Sequence, residues 1–418
     1  MYKKTLLNNG IPLVSFKSND VRSVCVGIWV NTGARYENLA NNGISHFLEH
    51  MFFKGTVKRN AKEIAMESDN LGAELNAFTS TENTTFYIKV LDDHLGQALE
   101  LLTDIFQNST FPDEDIEKEK GIIAEEIKMV EDSPSDLVHD LFSKSVWSEE
   151  GLGLSVLGSL EVIDGFKRDS LTQYRKEKYG AGNIVVACSG NFNESLLVEH
   201  LEKTIGCLDN ASAAGDLPLQ KFNGALNIVV KDLSESHICL GLKGISAKSP
   251  ERYKMYLLNT IIGAGASSRL FQEVREKRGL VYSIGSYNSS YSDNGLWGVY
   301  AGTDKSHVKE VVDITVNEIR NISDTVTSEE LVRAKNQLKG SLIFALESMN
   351  SRMTSIARQE INYGRYYTPE ETLKFVDSVS LEDLQSFARK LINNSPFALT
   401  VYGPVSEGDV KDFEKILK

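Results

Sequence analysis

The run His46-Phe-Leu-Glu-His50 has the residue types and spacing for metal chemistry. Residues four apart on an α-helix share a face, so His46 and His50 can present two imidazoles to one divalent cation. Neutral imidazole suits Zn²⁺, and a catalytic zinc keeps three protein ligands and a fourth position for water. A third ligand is therefore needed. The acid-rich run Ile116-Glu-Lys-Glu-Lys-Gly-Ile-Ile-Ala-Glu-Glu-Ile-Lys-Met-Val-Glu131 supplies two candidates, Glu119 and Glu126, seven apart and hence on one helix face. One of them can ligate while the other orients the surrounding groups. Glu49, beside the histidine pair, is placed to take a proton from water and pass it to a leaving amine, which is peptide hydrolysis without a covalent intermediate. An HxxEH pentapeptide also arises by chance. The helical setting and the downstream acids distinguish this one.

These residues need elements to hold them. The pattern predicts a helix through His46 and His50 starting near Asn42 and Ser45, and a second helix through Glu119 and Glu126. Behind them lies an internal duplication. Cys25-Val-Gly-Ile28 reappears as Cys239-Leu-Gly-Leu242, the helical pattern Leu95–Asn108 as Val308–Asn321, and Ile116-Glu-Lys-Glu-Lys120 as Leu331-Val-Arg-Ala-Lys335, in the same order and at nearly constant offset. Strand-like runs such as Thr85–Val90 and Ile184–Cys188 alternate with the helices, so each copy reads as one α+β domain. The small, polar stretch around Leu208–Pro218 has linker composition. It divides the chain into 1–207, a linker at 208–222, and 223–418.

A chain of 418 residues, 41% hydrophobic and 25% charged, is ample for two cores. Its formal charge of -13 argues against nucleic acid or an anionic membrane as partner and suits basic peptides. Cys25, Cys188, Cys207 and Cys239 lack CxxC spacing, three of them in apolar, strand-like runs, and they read as buried thiols in a reducing compartment. No segment approaches a signal peptide or a membrane span, so a cytoplasmic location is expected, with an organellar matrix after removal of a targeting segment as the alternative.

His46-Phe-Leu-Glu-His50 continuing into Met51-Phe-Phe-Lys-Gly-Thr56 resembles the pitrilysin family of inverzincin peptidases, in the branch of mitochondrial processing peptidase β subunits and their bacterial homologues, and the resemblance spans essentially the whole chain. It implies two homologous α/β-sandwich-like domains forming a clamshell around a chamber, with one Zn²⁺ per chain in the first. Ile122-Ile-Ala-Glu-Glu-Ile127 matches the family's third-ligand segment with Glu126 in the ligand's place, and Glu119 corresponds to an additional glutamate required for catalysis. The segment Glu74–Tyr87 is similar to the family's edge strand, whose Asn76-Ala77 region pairs with substrate backbone.

At the duplicated offset the metal positions fall near Thr260, Gly263 and Ala264, which cannot replace His or Glu, so the second half is expected to be metal-free. Its segment Arg269–Tyr282 resembles the one carrying the family's Arg/Tyr pair, here Arg275 and Tyr282, a clamp and a phenol donor for substrate and oxyanion. Asp136 and Asp140, four apart on a predicted helix, match acids that in the processing-peptidase branch recognise an arginine near the cleavage site. The expectation is a zinc endopeptidase for short or unfolded basic peptides, acting as a homodimer. The alternative is a noncatalytic structural or partner subunit of the same fold, which the presence of His46, Glu49, His50, Glu119 and Glu126 disfavours.

Overall fold

The computed structural model describes residues 1–209, 217, 219–405 and 407–418. Within the expected linker, 210–216 and 218 lie outside the described residues. β-Branched and apolar runs build two sheets. The first holds β1 (Tyr2–Leu6), β2 (Pro12–Lys17), β3 (Ser23–Val30), β4 (Glu74–Thr79), β5 (Thr84–Leu91) and β6 (Ile184–Gly190), in the order β1-β2-β6-β3-β5-β4. The second holds β7 (Leu226–Val230), β8 (Ser236–Lys243), β9 (Val281–Ser290), β10 (Gly295–Thr303) and β11 (Ala398–Gly403), in the order β7-β11-β8-β10-β9. Beyond β1 the two orders coincide. A parallel pair (β2 with β6, β7 with β11) is followed by antiparallel neighbours that end in an edge strand, β4 or β9. The repeated Cys-x-Gly runs fall in β3 and β8, where this duplication requires them. Cys25, Cys188 and Cys239 are buried in strands as expected, but Cys207 is exposed, because it lies in the short turn Ile205–Cys207 outside the sheets.

The helices repeat as well. The first series is α1 (Ile44–Phe52), α2 (Ala61–Asn70), α3 (Leu95–Asn108), α4 (Asp113–Glu131), α5 (Pro134–Trp147), α6 (Leu160–Asp164), α7 (Arg168–Lys178) and α8 (Glu194–Lys203). The second is α9 (Arg252–Gly263), α10 (Val308–Thr325), α11 (Ser328–Ala345), α12 (Met349–Tyr363), α13 (Pro369–Ser378), α14 (Leu381–Asn393) and α15 (Glu407–Leu417). Their starts are written locally. Asn60 with Glu63, Thr368 with Glu371 and Ser380 with Asp383 form reciprocal capping boxes, and Pro369 occupies the first turn of α13. Leu99, Leu102 and Phe106 of α3 join Ile28, Phe86 and Ile88 in one core, while Val312, Val316 and Ile319 of α10 join Leu240 and Val299 in the other.

The chain forms two compact units: Met1–Lys128 with Glu150–Pro218 and Phe344–Tyr366, and Met129–Glu149 with Leu219–Ile343 and Tyr367–Lys418. Each half of the sequence thus gives one helix to the unit built mainly by the other. In the first unit α12 lays Met353, Ile356 and Ala357 on Val14, Cys25, Trp29, Val185 and Ala187. In the second, α5 presents the buried stripe Val138, Phe142, Val146 and Trp147. Burying an apolar side chain of this size stabilises by about 1.5–3 kcal/mol, so each exchanged helix contributes substantially to a sheet far from it in sequence. The repeated glycine makes the room. A Cβ at Gly27 would come within 3.3 Å of Met353, and one at Gly241 within 3.2 Å of Phe142.

Candidate metal centre

All the residues of the expected metal site lie in the first unit. Helix α1 runs Ile44–Phe52 with Gly43 as N-cap at φ 93°, a left-handed conformation open to glycine at low cost. A Cβ at Gly43 would meet the Leu157 carbonyl oxygen at 2.7 Å, so the position also needs glycine for space. Neither Asn42 nor Ser45 caps this helix by its side chain. The cap comes from Glu37: its Oε2 accepts from the Gly43 N–H at 2.7 Å and Asn42 Nδ2 at 2.9 Å, and its Oε1 accepts from the Ser45 N–H at 2.9 Å. Nothing in the HxxEH pattern announces a carboxylate several residues upstream, and the sequence reading missed it.

From this anchored start His46 and His50 project on one face, with ring centroids 4.7 Å apart. Glu126 arrives from α4, its Oε2 3.5 Å from His46 Nε2 and 3.8 Å from His50 Nε2. Three ligand atoms, one from each residue, lie within 4.8 Å of one another, and among the described residues this is the one such group of three. Ligand bonds of about 2.1 Å in a tetrahedron place ligand atoms roughly 3.4 Å apart, so the observed spacings fit a single zinc-sized ion. Burial pushes His46 down to about 4, with the neighbouring His50 adding to the effect, so at neutral pH it carries the uncharged imidazole a metal requires.

Glu119 explains the second acid. It sits in the apolar stripe of α4 with Ile116, Ile123 and Ile127, and is only 2% exposed. A carboxylate there needs partners, and it has two: His50 Nδ1 at 3.0 Å and Lys54 Nζ at 2.6 Å. Burial works against its charge, but these hydrogen bonds prevail and hold it below the usual carboxylate range. Burial likewise disfavours charged His50, yet Glu119, Glu49 and Glu126 outweigh that and raise it. With Nδ1 engaged by Glu119, His50 Nε2 is left facing Glu126. Glu49 is held on the other side, its Oε2 accepting from Thr79 Oγ1 at 2.6 Å, and burial raises it, tempered by that hydrogen bond. Thr79 and Lys54 were also missed, being ordinary residues until the fold brings them to the site.

Thr79 ends β4, the edge strand of its sheet. Along β4 the Asn76 Oδ1 covers the Ala77 N–H at 2.8 Å. The remaining expected site residues belong to the second unit. Arg275 lies in a π-helical segment, Phe271–Glu276, and its guanidinium carbon stands 5.5 Å from the ring centroid of Tyr282, the second residue of β9. Tyr282 is 82% exposed. On α5, Asp136 accepts from Ser133 Oγ at 2.6 Å and Asp140 is exposed one turn further on.

Residues 13–160 match the family model described as insulinase (peptidase family M16), and 165–338 match that of the peptidase M16 inactive domain. The chain is 40% identical over 405 residues to the uncharacterized zinc protease YmxG of Bacillus subtilis, covering 97% of this chain and 98% of the relative. In fold it is similar to a peptidase M16 inactive domain from Pseudomonas fluorescens, with TM-score 0.91 and 18% identity over 97% of this chain and 98% of the other. It is also similar in fold to a chain of complex III2 from Candida albicans, with TM-score 0.84 and 22% identity over 99% of both.

Proposed function

The chain belongs to the insulinase family of peptidases, peptidase family M16, and is a zinc metalloprotease; on that premise we propose an endopeptidase for short or unfolded peptides, with one zinc held by His46, His50 and Glu126 and Glu49 as general base. The carrying observation is the convergence of the two Nε2 atoms and one carboxylate oxygen beside a carboxylate that does not share their cluster. Zinc, when bound, supplies Lewis-acid polarisation of a carbonyl and of a water. Glu49, steadied by Thr79, accepts the water's proton and returns it to the leaving amine. Glu119 keeps the His50 Nδ1–H in place so that Nε2 is the ligating atom. The edge of β4 takes an extended peptide by backbone hydrogen bonds along Asn76-Ala77, the peptide replacing Asn76 Oδ1 at the Ala77 N–H, a mode that tolerates many sequences. Tyr282 serves as donor to developing negative charge, and Arg275 as a clamp on substrate carbonyls or carboxylates.

Asp136 and Asp140 give a preference for arginine near the scissile bond. The double replacement by Asn should lower kcat/KM for Arg-containing peptides about tenfold or more while sparing neutral ones; an equal loss on both substrates would remove the assignment. A homodimer in the cytoplasm acting on basic peptides completes the proposal. The alternative is a noncatalytic structural or partner subunit of the same fold, but a full set of ligands and base favours the enzyme. The deciding experiment treats the purified protein with a chelator. Hydrolysis of a quenched fluorescent Arg-containing peptide should cease and return with one equivalent of zinc per chain; hydrolysis that persists in the demetallated protein would refute the proposal.

A further inference from the structure

The geometry points to Glu37 as a positioning residue for the metal centre: through the first turn of α1 it fixes where His46 places its Nε2. The two ligand histidines are supported unequally. His50 is oriented by a side-chain partner, Glu119, at 3.0 Å. Among the described residues the buried His46 Nδ1 has no hydrogen-bond partner. No polar contact therefore sets the His46 ring from behind, and its placement depends on the helix that carries it. That helix begins two residues earlier at Ile44, behind the N-cap Gly43 and with no side-chain cap from that residue, and Glu37 takes the N–H groups of Gly43 and Ser45. Glu37 is 7% exposed; burial raises its carboxyl above the usual range, against the hydrogen bonds from Ser45, Gly43 and Asn42 that tie it to the helix start. A second strand of support ends at the same turn, where Ser45 Oγ lies 2.8 Å from the Tyr174 hydroxyl, itself 3.0 Å from Thr32 Oγ1. Ser45 immediately precedes His46, so displacement of this turn moves the ligand directly.

The inference rests on the zinc reading above, and the test separates the two. Zinc affinity is measured by competition with a chromophoric chelator for the wild type, Glu37→Gln and Asp104→Asn, alongside thermal unfolding and the kinetics of peptide hydrolysis at saturating zinc. Glu37→Gln keeps the shape and one acceptor but loses the charge, which makes it the variant most apt to fold. Asp104→Asn weakens a buried network on α3 without touching α1. The expected result is a zinc Kd raised about tenfold or more in Glu37→Gln, with kcat recovering at saturating zinc and KM unchanged, while Asp104→Asn unfolds at lower temperature with wild-type zinc affinity. Wild-type affinity in folded Glu37→Gln, or equal weakening in both variants, would overturn the role of Glu37. A wild type that binds no zinc would instead overturn the metal reading itself.

Discussion

The two units use the same place in the same sheet order for opposite purposes. In the first, α1 packs beside edge strand β4 and the space between them is polar: Glu49 meets Thr79, and the imidazoles of α1 face the acids of α4. In the second, α9 packs beside edge strand β9 and the space is filled. A Cβ at Gly263 would lie 2.4 Å from the Ser286 backbone nitrogen, Ser286 Oγ donates to the Asn259 carbonyl at 2.9 Å, and Trp297 Nε1 donates to Asn259 Oδ1 at 3.0 Å. On α11, which repeats α4, the counterparts of Glu119 and Glu126 are Ala334 and Ser341. One scaffold therefore carries a candidate metal centre with paired buried charges in the first unit and a packed joint in the second.

The largest difference should appear when ligand positions are exchanged for alanine. His46→Ala should lose zinc and bring hydrolysis to background, whereas Thr260→Ala, near the corresponding position of the second unit, should keep both. Metal analysis and peptide assays on the two variants would blur the contrast if Thr260→Ala lost zinc. Next in size is the buried charge network of the first unit. Asp104 accepts from Thr56 at 2.8 Å, Arg59 at 2.7 Å and Asn108 at 2.8 Å. Its burial opposes the charge, but these bonds win and hold its carboxyl below the usual range. A folded-state pKa that is depressed contributes stability that is full above the unfolded value of about 3.9 and is lost as pH falls through the lower folded value. Asp104→Asn should thus cost about 3 kcal/mol near pH 7, with the gap to wild type narrowing below about pH 4 in urea unfolding; a gap independent of pH would contradict the assignment. The smallest effects concern glycines. Gly263→Ala, in the packed joint, should destabilise by about 1–3 kcal/mol, while Gly121→Ala, exposed on α4 with nothing within 4 Å of the new carbon, should stabilise by about 0.5–1 kcal/mol. Equal shifts in unfolding temperature would refute the close packing of α9 on β9.

Much of this was legible in the residues, for identifiable reasons. Helical spacing brings His46 and His50 to one face whatever surrounds them, and the seven-residue step from Glu119 to Glu126 does the same on α4. The repeated Cys-x-Gly strands and amphipathic helices carried the duplication, because buried strands and helix stripes keep their period in sequence. What escaped was tertiary. An apolar stripe such as Val138-Phe142-Val146 states that α5 must be covered without naming the sheet that covers it, so the reciprocal exchange of α5 and α12 left no local mark. The same holds for Glu37, Thr79 and Lys54, whose roles come from buried partners distant in sequence or across a turn. Glu119 is the intermediate case: a carboxylate in line with Ile116 and Ile123 is a visible conflict with its own stripe, and the conflict is resolved by the site.

The most direct test of the account is Glu49→Gln, assayed for zinc content and for hydrolysis of an Arg-containing peptide on the same preparation. The account predicts one zinc per chain in both proteins, because Glu49 is not a ligand, and a kcat reduced by about 10²–10⁴ in the variant. A variant that retains wild-type turnover would contradict the assignment of Glu49 as the base, and one that loses zinc with its activity would place Glu49 among the ligands instead.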